Sequence, residues 1–313
     1  MTSAVTTTGP AAGLIDLTEA ERELQERARR FVDEVLIPLE ETAELAHGRL
    51  PEETIAGIRR EAIAARLNGG LHAPEHGGQG WSHVEWWVVE EQLGRSTNAI
   101  SWHIPNAYNV WSAASPDQIE RYLKPGIRGE SQDCYAVTEA NAGSDPSRIE
   151  TVARPSEGGW VIDGEKWFAT SGDVAKVLIV VANALVDGQA LPTLFAVDAD
   201  LPGIEFVDDP PFTHNYPHGH PTIRFTGVEI PRDAVIGGVG EGDALQQAWF
   251  VEERLGIAAR GVGSMLRLLE DTTAWARERE QGGQRIYDYQ GVAFPLADSA
   301  ADAAAGRLLA FEV

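Results

Sequence analysis

Two short stretches of the chain carry the residue types from which a binding site could be built. The first is Tyr135-Ala-Val-Thr-Glu-Ala-Asn-Ala-Gly-Ser-Asp145; the second is Lys166-Trp-Phe-Ala-Thr-Ser-Gly172, at the end of a hairpin. Ala142, Gly143 and Ser144 carry almost no side chain, so backbone N–H groups there can come within hydrogen-bonding distance of a ligand, while Thr138 and Ser144 add hydroxyls. Phe168 adds an aromatic face. Donors, hydroxyls and one aromatic surface in so short a span suit a large heteroaromatic cofactor better than a small metabolite. Taken singly, each piece also fits an ordinary turn or the hairpin that Asp163-Gly164 favours.

In order and spacing the pair resembles the flavin-binding segments of the acyl-CoA dehydrogenase family, and both flanks continue the resemblance. On the N-terminal side stand Pro74-Glu-His-Gly-Gly-Gln-Gly80 and Glu90-Glu-Gln-Leu-Gly-Arg95; on the C-terminal side, Phe225-Thr-Gly-Val-Glu-Ile-Pro231, Glu253-Arg254-Leu255 and Asp288-Tyr-Gln-Gly-Val292. The resemblance implies FAD as cofactor and α,β-dehydrogenation of an acyl-CoA thioester to a trans-2-enoyl-CoA. It also implies an electron-transfer flavoprotein or similar acceptor, and a homo- or hetero-oligomer, dimeric or tetrameric. Carried over by residue, Tyr135, Val137, Thr138, Gly143 and Ser144 would cradle the flavin. Phe168, Ala169 and Thr170 would line its other side, and Arg279 and Gln290 would reach the cofactor. Ser144 and Arg254 would also meet substrate.

Glu253, directly before Arg254, matches one of the two places where the family carries its catalytic carboxylate; read from the residues alone, Glu252-Glu253 are two surface acids on a charged turn. Three departures stand out. Phe168 replaces the usual Trp, Val251 stands where many members carry an acid, and Arg279-Glu-Gln-Gly-Gly283 replaces Arg-x-x-Phe-Gly. An oxidase or monooxygenase on the same scaffold, or a non-catalytic partner subunit, are the alternative readings. His214-Asn-Tyr-Pro-His218-Gly-His220 lacks the spacing and companion ligands of a zinc site, so no metal is expected. That run is similar to a loop beside the flavin in one branch of the family, which leaves a substrate-facing role open. Gly238, Gly240 and Gly242 lack the strand and helix of a dinucleotide fold.

These residues need elements to position them. Thr18 with Glu21 forms a capping box for a long amphipathic helix to about Ala46. Further helices are expected from Pro51 to Leu67, Ser82 to Arg95, Ile100 to Ala114, and from Ser115. After Ser131 come short β-branched runs, 150–154, 160–163, 177–182, 193–197 and 222–228, which predict an antiparallel sheet or small barrel. The helical period returns from Asp243, and a last helix begins near Tyr289. The expected architecture is α+β and multidomain: a leader over 1–16, a helical domain over 17–131, a middle β domain over 132–240 and a partial helical bundle over 241–313. The apolar stripe Leu296, Ala300, Ala303, Ala304 and Leu308 asks for a covering partner or further helices.

A formal charge of −23 argues against nucleic acid and anionic membrane surfaces. The single Cys134 excludes an internal disulfide, and no apolar run is long enough to span a bilayer, so a reduced cytoplasmic setting is expected.

Overall fold

In the computed structural model of the chain, residues 15–312 are described; most of the leader expected over 1–16 lies outside them. The helices are α1 (Glu19–Phe31), α2 (Glu40–Leu45), α3 (Glu52–Ala64), α4 (His83–Leu93), α5 (Pro116–Gln118), α6 (Lys124–Ile127), α7 (Gly242–Glu278) and α8 (Gln290–Phe311). The strands are β1 (Asp133–Ala136), β2 (Val152–Pro155), β3 (Gly159–Lys166), β4 (Val177–Val186), β5 (Gln189–Asp198), β6 (Ile204–Asp208), β7 (Thr222–Pro231), β8 (Val235–Ile236), β9 (Glu280–Gln281) and β10 (Gln284–Arg285). The expected order of helices, sheet and helices is present. No described helix is long and apolar enough to cross a membrane.

The capping boxes at Thr18, Ser82 and Ser115 all form, each hydroxyl accepting from the N3 amide while the N3 side chain reaches back. The long first helix does not run unbroken to Ala46. Pro38 lacks an N–H and crowds the preceding turn, so the chain widens into a π-turn at Val32–Leu36 and tightens at Ile37–Leu39 before α2. Proline also defeats the helix expected over 100–114. Pro105 confines Ile104 to extended backbone (φ −68°, ψ 125°), leaving two short 3₁₀ turns at Ile100–His103 and Asn109–Ala113.

By its contacts the chain forms two compact units. One comprises Met1–Pro38, Trp81–Thr97 and Glu252–Val313; the other comprises Leu39–Gly80 and Asn98–Val251. In the first, α4 and α7 cross at two glycines. A Cβ on Gly94 would lie 2.2 Å from the Arg260 carbonyl oxygen, and one on Gly263 only 1.8 Å from that of Glu91. Ser264 Oγ donates to the Gly94 carbonyl at 2.6 Å across the same crossing. On α8, Arg307 pairs with buried Glu91 at 3.0 Å and Phe311 packs edge-on against Trp87. Of the predicted apolar stripe, Ala303 is buried and Leu308 is exposed.

The second unit is built on one sheet with strand order β6-β7-β3-β2-β4-β5-β8, and β1 pairs off this path with β4. Most ladders are antiparallel, but β1 and β2 each run parallel to β4. That is why β4 reads as a nearly unbroken apolar run: both its faces are covered. Leu178, Val180 and Ala182 join a core with Trp160, Phe195 and Phe225, while Val177, Ile179 and Val181 face Trp111, Leu123 and Ile127. Asp133 fastens the helical segment to β1, accepting from Trp111 Nε1 at 2.7 Å and from the Tyr108 amide at 3.1 Å.

Replacing Gly263 by alanine gains about 1 kcal/mol in helix propensity. The added methyl overlaps main-chain oxygen that cannot swing away, at a cost of roughly 1–3 kcal/mol or more. Gly263→Ala should therefore lower the urea midpoint of unfolding; a raised midpoint would show that the crossing is loose.

Candidate functional site

The loop after β1 and the segment after β3 meet through a buried ion pair. Lys166, the last residue of β3, has no exposed side-chain surface, and its Nζ donates to Glu139 Oε1 at 2.7 Å and to the Val137 carbonyl at 2.9 Å. Glu139 is almost as buried and accepts in addition from the amides of Glu150 (2.6 Å) and Thr151 (3.1 Å). Burial pulls the Lys166 ammonium down to about 8, with the Glu139 charge opposing. Burial likewise pushes the Glu139 carboxyl up, but the charge and hydrogen bond of Lys166 and the donors from Thr151 and Glu150 outweigh it, leaving Glu139 below its ordinary value. Four pieces of chain converge on this pair: 137–139, 150–151, β3 and the turn that follows it.

That turn is unusual. Phe168 and Ser171 both adopt left-handed backbone, φ +53° and +65°, a cost of order 1–3 kcal/mol for a bulky residue held by its surroundings. Alternate amides hold it in place: Trp167 N–H donates to the Thr138 carbonyl (2.8 Å), Ala169 to Pro221 (3.0 Å) and Ser171 to Gly219 (2.9 Å). Among the described residues, the amides of Phe168 and Thr170 take no such bond. Phe168 keeps 48 % of its surface exposed. Across the loop, Gly143 and Ser144 are exposed, and a Cβ on Gly143 would meet no atom within 4 Å. Open backbone, two uncommitted amides and an exposed aromatic face are what a flat polar ring requires, so the residues present fit a flavin.

The other predicted residues divide. Val137 and Thr138 are half-buried and give their carbonyls to Lys166 and Trp167. Ala169 is buried in the sheet core. Tyr135 turns its ring into the other core, stacked 4.3 Å from Trp249, with a buried hydroxyl that has no partner among the described residues; only its main chain is left for the cradle. Thr170 Oγ1 lies 3.0 Å from His220 Nδ1. His220 belongs to a cluster with His214, Tyr216 and Phe212, and burial, then the nearby His214, hold its imidazole below the usual value against Asp209 and Asp173. Burial also takes His103, edge-on to His218, down to about 3. Among the described residues, no three His, Cys, Asp or Glu side chains are placed to hold a metal ion.

Glu253, Arg254, Arg279 and Gln290 belong to the other compact unit. Glu253, half-buried on α7, pairs with Arg260 at 3.1 Å, and Arg260 also binds Glu90 at 2.6 Å. Arg260 thus fixes where the Glu253 carboxylate sits. Arg254, Arg279 and Gln290 are exposed. After Arg279 the chain makes a two-residue hairpin, β9 to β10, whose Gly282 and Gly283 both have positive φ (+65° and +83°). A Cβ on Gly282 would come within 2.6 Å of Tyr289 Oη, so a Phe in that place would strain this turn and displace the Tyr289 ring.

Sequence reasoning quoted Glu139, Lys166 and His220 within motifs but gave them no partners, and it missed Arg260. For Lys166 the signal was present: it shares the alternation of Trp160 and Ile162 on β3, which places it inward.

Three family models match in succession: the acyl-CoA dehydrogenase N-terminal domain over residues 18–130, the middle domain over 134–228 and the C-terminal domain over 240–313. The chain is 26% identical over 306 residues to the caffeyl-CoA reductase–Etf complex subunit CarC of Acetobacterium woodii, covering 94% of this chain and 78% of that protein. It is 28% identical over 306 residues to a probable medium-chain specific acyl-CoA dehydrogenase 2, mitochondrial, of Caenorhabditis briggsae, covering 95% and 74%. An acyl-CoA dehydrogenase from Bacillus anthracis, solved in complex with FAD, shares the fold at a TM-score of 0.81 and 23% identity, over 92% of this chain and 49% of that one.

Removing one member of the buried pair strands the other. Lys166→Met should cost about 3–5 kcal/mol. Without its countercharge Glu139 gains a folded-state pKa above its unfolded one, so the folded state binds the extra proton and stability falls as pH rises through that interval. The loss relative to wild type should then be smaller at pH 5 than at pH 8 in urea denaturation. Equal losses at both pH values would mean the charge is met elsewhere.

Proposed function

Because the chain belongs to the acyl-CoA dehydrogenase family, an oxidoreductase class, we propose that it catalyses α,β-dehydrogenation of an acyl-CoA thioester to the trans-2-enoyl-CoA. FAD is its cofactor. The observation that supports this most strongly is the cradle itself, in which the amides of Phe168 and Thr170, the exposed Phe168 ring and the open backbone at Gly143 lie on segments tied together by Lys166 and Glu139. Val137, Thr138, Gly143 and Ser144 would hold the ring by main chain and hydroxyl, and Phe168, Ala169 and Thr170 would line its other side, Phe168 offering an aromatic face. Tyr135 adds its backbone.

Bound there, FAD supplies the acceptor for the hydride that leaves the substrate β-carbon. The chain's own work is acid–base and positional. Glu253 takes the α-proton on its carboxylate, delivered from its pairing with Arg260, and hydrogen bonds to the thioester carbonyl make that proton acidic. Arg254 and Ser144 meet the CoA portion, and Arg279 and Gln290 meet the cofactor. An electron-transfer flavoprotein is the electron partner, in line with the name of the Acetobacterium relative, and the working form is an oligomer. That relative's name also favours a second reading, the same chemistry run toward reduction of an enoyl thioester.

Anaerobic titration of the purified protein with a panel of acyl-CoAs should bleach the flavin band, and Glu253→Gln should slow bleaching by roughly 100- to 10,000-fold. Undiminished bleaching in the variant would move the base elsewhere. Rapid reoxidation of the bleached flavin by air would turn the assignment toward an oxidase.

A further inference from the structure

The run His214-Asn-Tyr-Pro-His218-Gly-His220 takes no part in the chemistry above, yet it is built against the cradle. His220 Nδ1 lies 3.0 Å from Thr170 Oγ1. Phe212 and Tyr216 each pack with ring centroids 4.8 Å from the imidazole, and His214 stands at 5.7 Å. The backbone is fastened as well: the His220 amide donates to Asp209 Oδ1 at 2.8 Å. At Gly219 a Cβ would fall 2.4 Å from Asp209 Oδ2, so a larger residue there would displace the carboxylate that holds the His220 amide.

The remaining ring nitrogen, Nε2, is buried without a hydrogen-bond partner among the described residues. A neutral imidazole has one N–H to place. On Nε2 it would be a buried donor with no acceptor; on Nδ1 it has the Thr170 oxygen. The surroundings therefore favour the Nδ1–H tautomer, and Thr170 accepts from His220. A hydroxyl with a free choice can turn either way. One that already accepts from behind has its own hydrogen left to give.

We propose that His220 is a positioning residue that commits the Thr170 hydroxyl to donate into the cradle, toward the acceptor nitrogens and carbonyl oxygens of a bound oxidised flavin ring. The inference rests on the FAD reading above. Charge is not its means. An imidazolium also donates through Nδ1, so the titratable groups around His220, namely His214, Asp209, Asp173 and Tyr216, bear on its charge without reversing this hydrogen bond.

The test measures FAD dissociation constants and the visible flavin spectrum for wild type, Thr170→Val, His220→Phe, the double variant and His220→Asn. Each of the first two substitutions should weaken FAD binding about fivefold, the change expected for one hydrogen bond, and should shift the visible band. The double variant should bind no worse than either single one, and His220→Asn, whose amide can donate from near the place of Nδ1, should restore both properties. Losses that multiply in the double variant, an unchanged His220→Phe, or an Asn variant no better than Phe would each overturn the proposal. In the FAD-free wild type, ¹⁵N-histidine NMR should report His220 as the Nδ1–H tautomer, and the Nε2–H form would overturn it independently. A wild type with the expected tautomer that takes up no FAD would instead sink the cofactor reading while leaving the hydrogen bond in place.

Discussion

A lysine with no exposed surface survives folding only where its charge is met, and Lys166 is met by Glu139 and by one carbonyl. Much else in the β unit follows from that requirement. To bring Glu139 to the ammonium, the chain after β1 must double back, which places Gly143 and Ser144 at the surface. Just before β2 the Glu150 amide meets the second carboxylate oxygen, and the Thr151 amide adds a donor to the oxygen that Lys166 binds. β3 is pinned at its last residue, and the chain then leaves the strand and enters the left-handed turn that presents Phe168. The pair works less as a source of stability than as a device that fixes the register of several segments at once.

The helical parts illustrate which features a sequence makes plain. Capping boxes at Thr18 and Ser115 could be read because their partners lie three residues away, and the one at Ser82 carries the same mark. Strand runs such as 177–182 and 222–228 were visible because alternation and β-branching are local too. What escaped was set by single residues acting on their neighbours, as at Pro38 and Pro105, or by pairing with distant chain, as for β1, whose four buried residues acquire meaning only beside β4. Parallel pairing of β1 and β2 with β4 likewise has no local mark.

The candidate site divides along the same line. Small residues, hydroxyls and an aromatic at 135–144 and 166–172 could be picked out by type. Their supports could not, because Glu139 and Lys166 are 27 positions apart and Thr170 and His220 are 50 apart. Glu253 was legible as a carboxylate beside an arginine, but the arginine it touches is Arg260, two helical turns on, rather than its neighbour Arg254.

Phe168 shows the local and the global demand in open conflict. Its backbone sits where glycine or asparagine would rest comfortably, while it exposes a large ring that those residues lack. No amino acid serves both, so the position carries permanent frustration that the surrounding amide bonds must absorb. The backbone that carries the ring is therefore set by the fold, through the main-chain bonds of Trp167, Ala169 and Ser171 on either side of it.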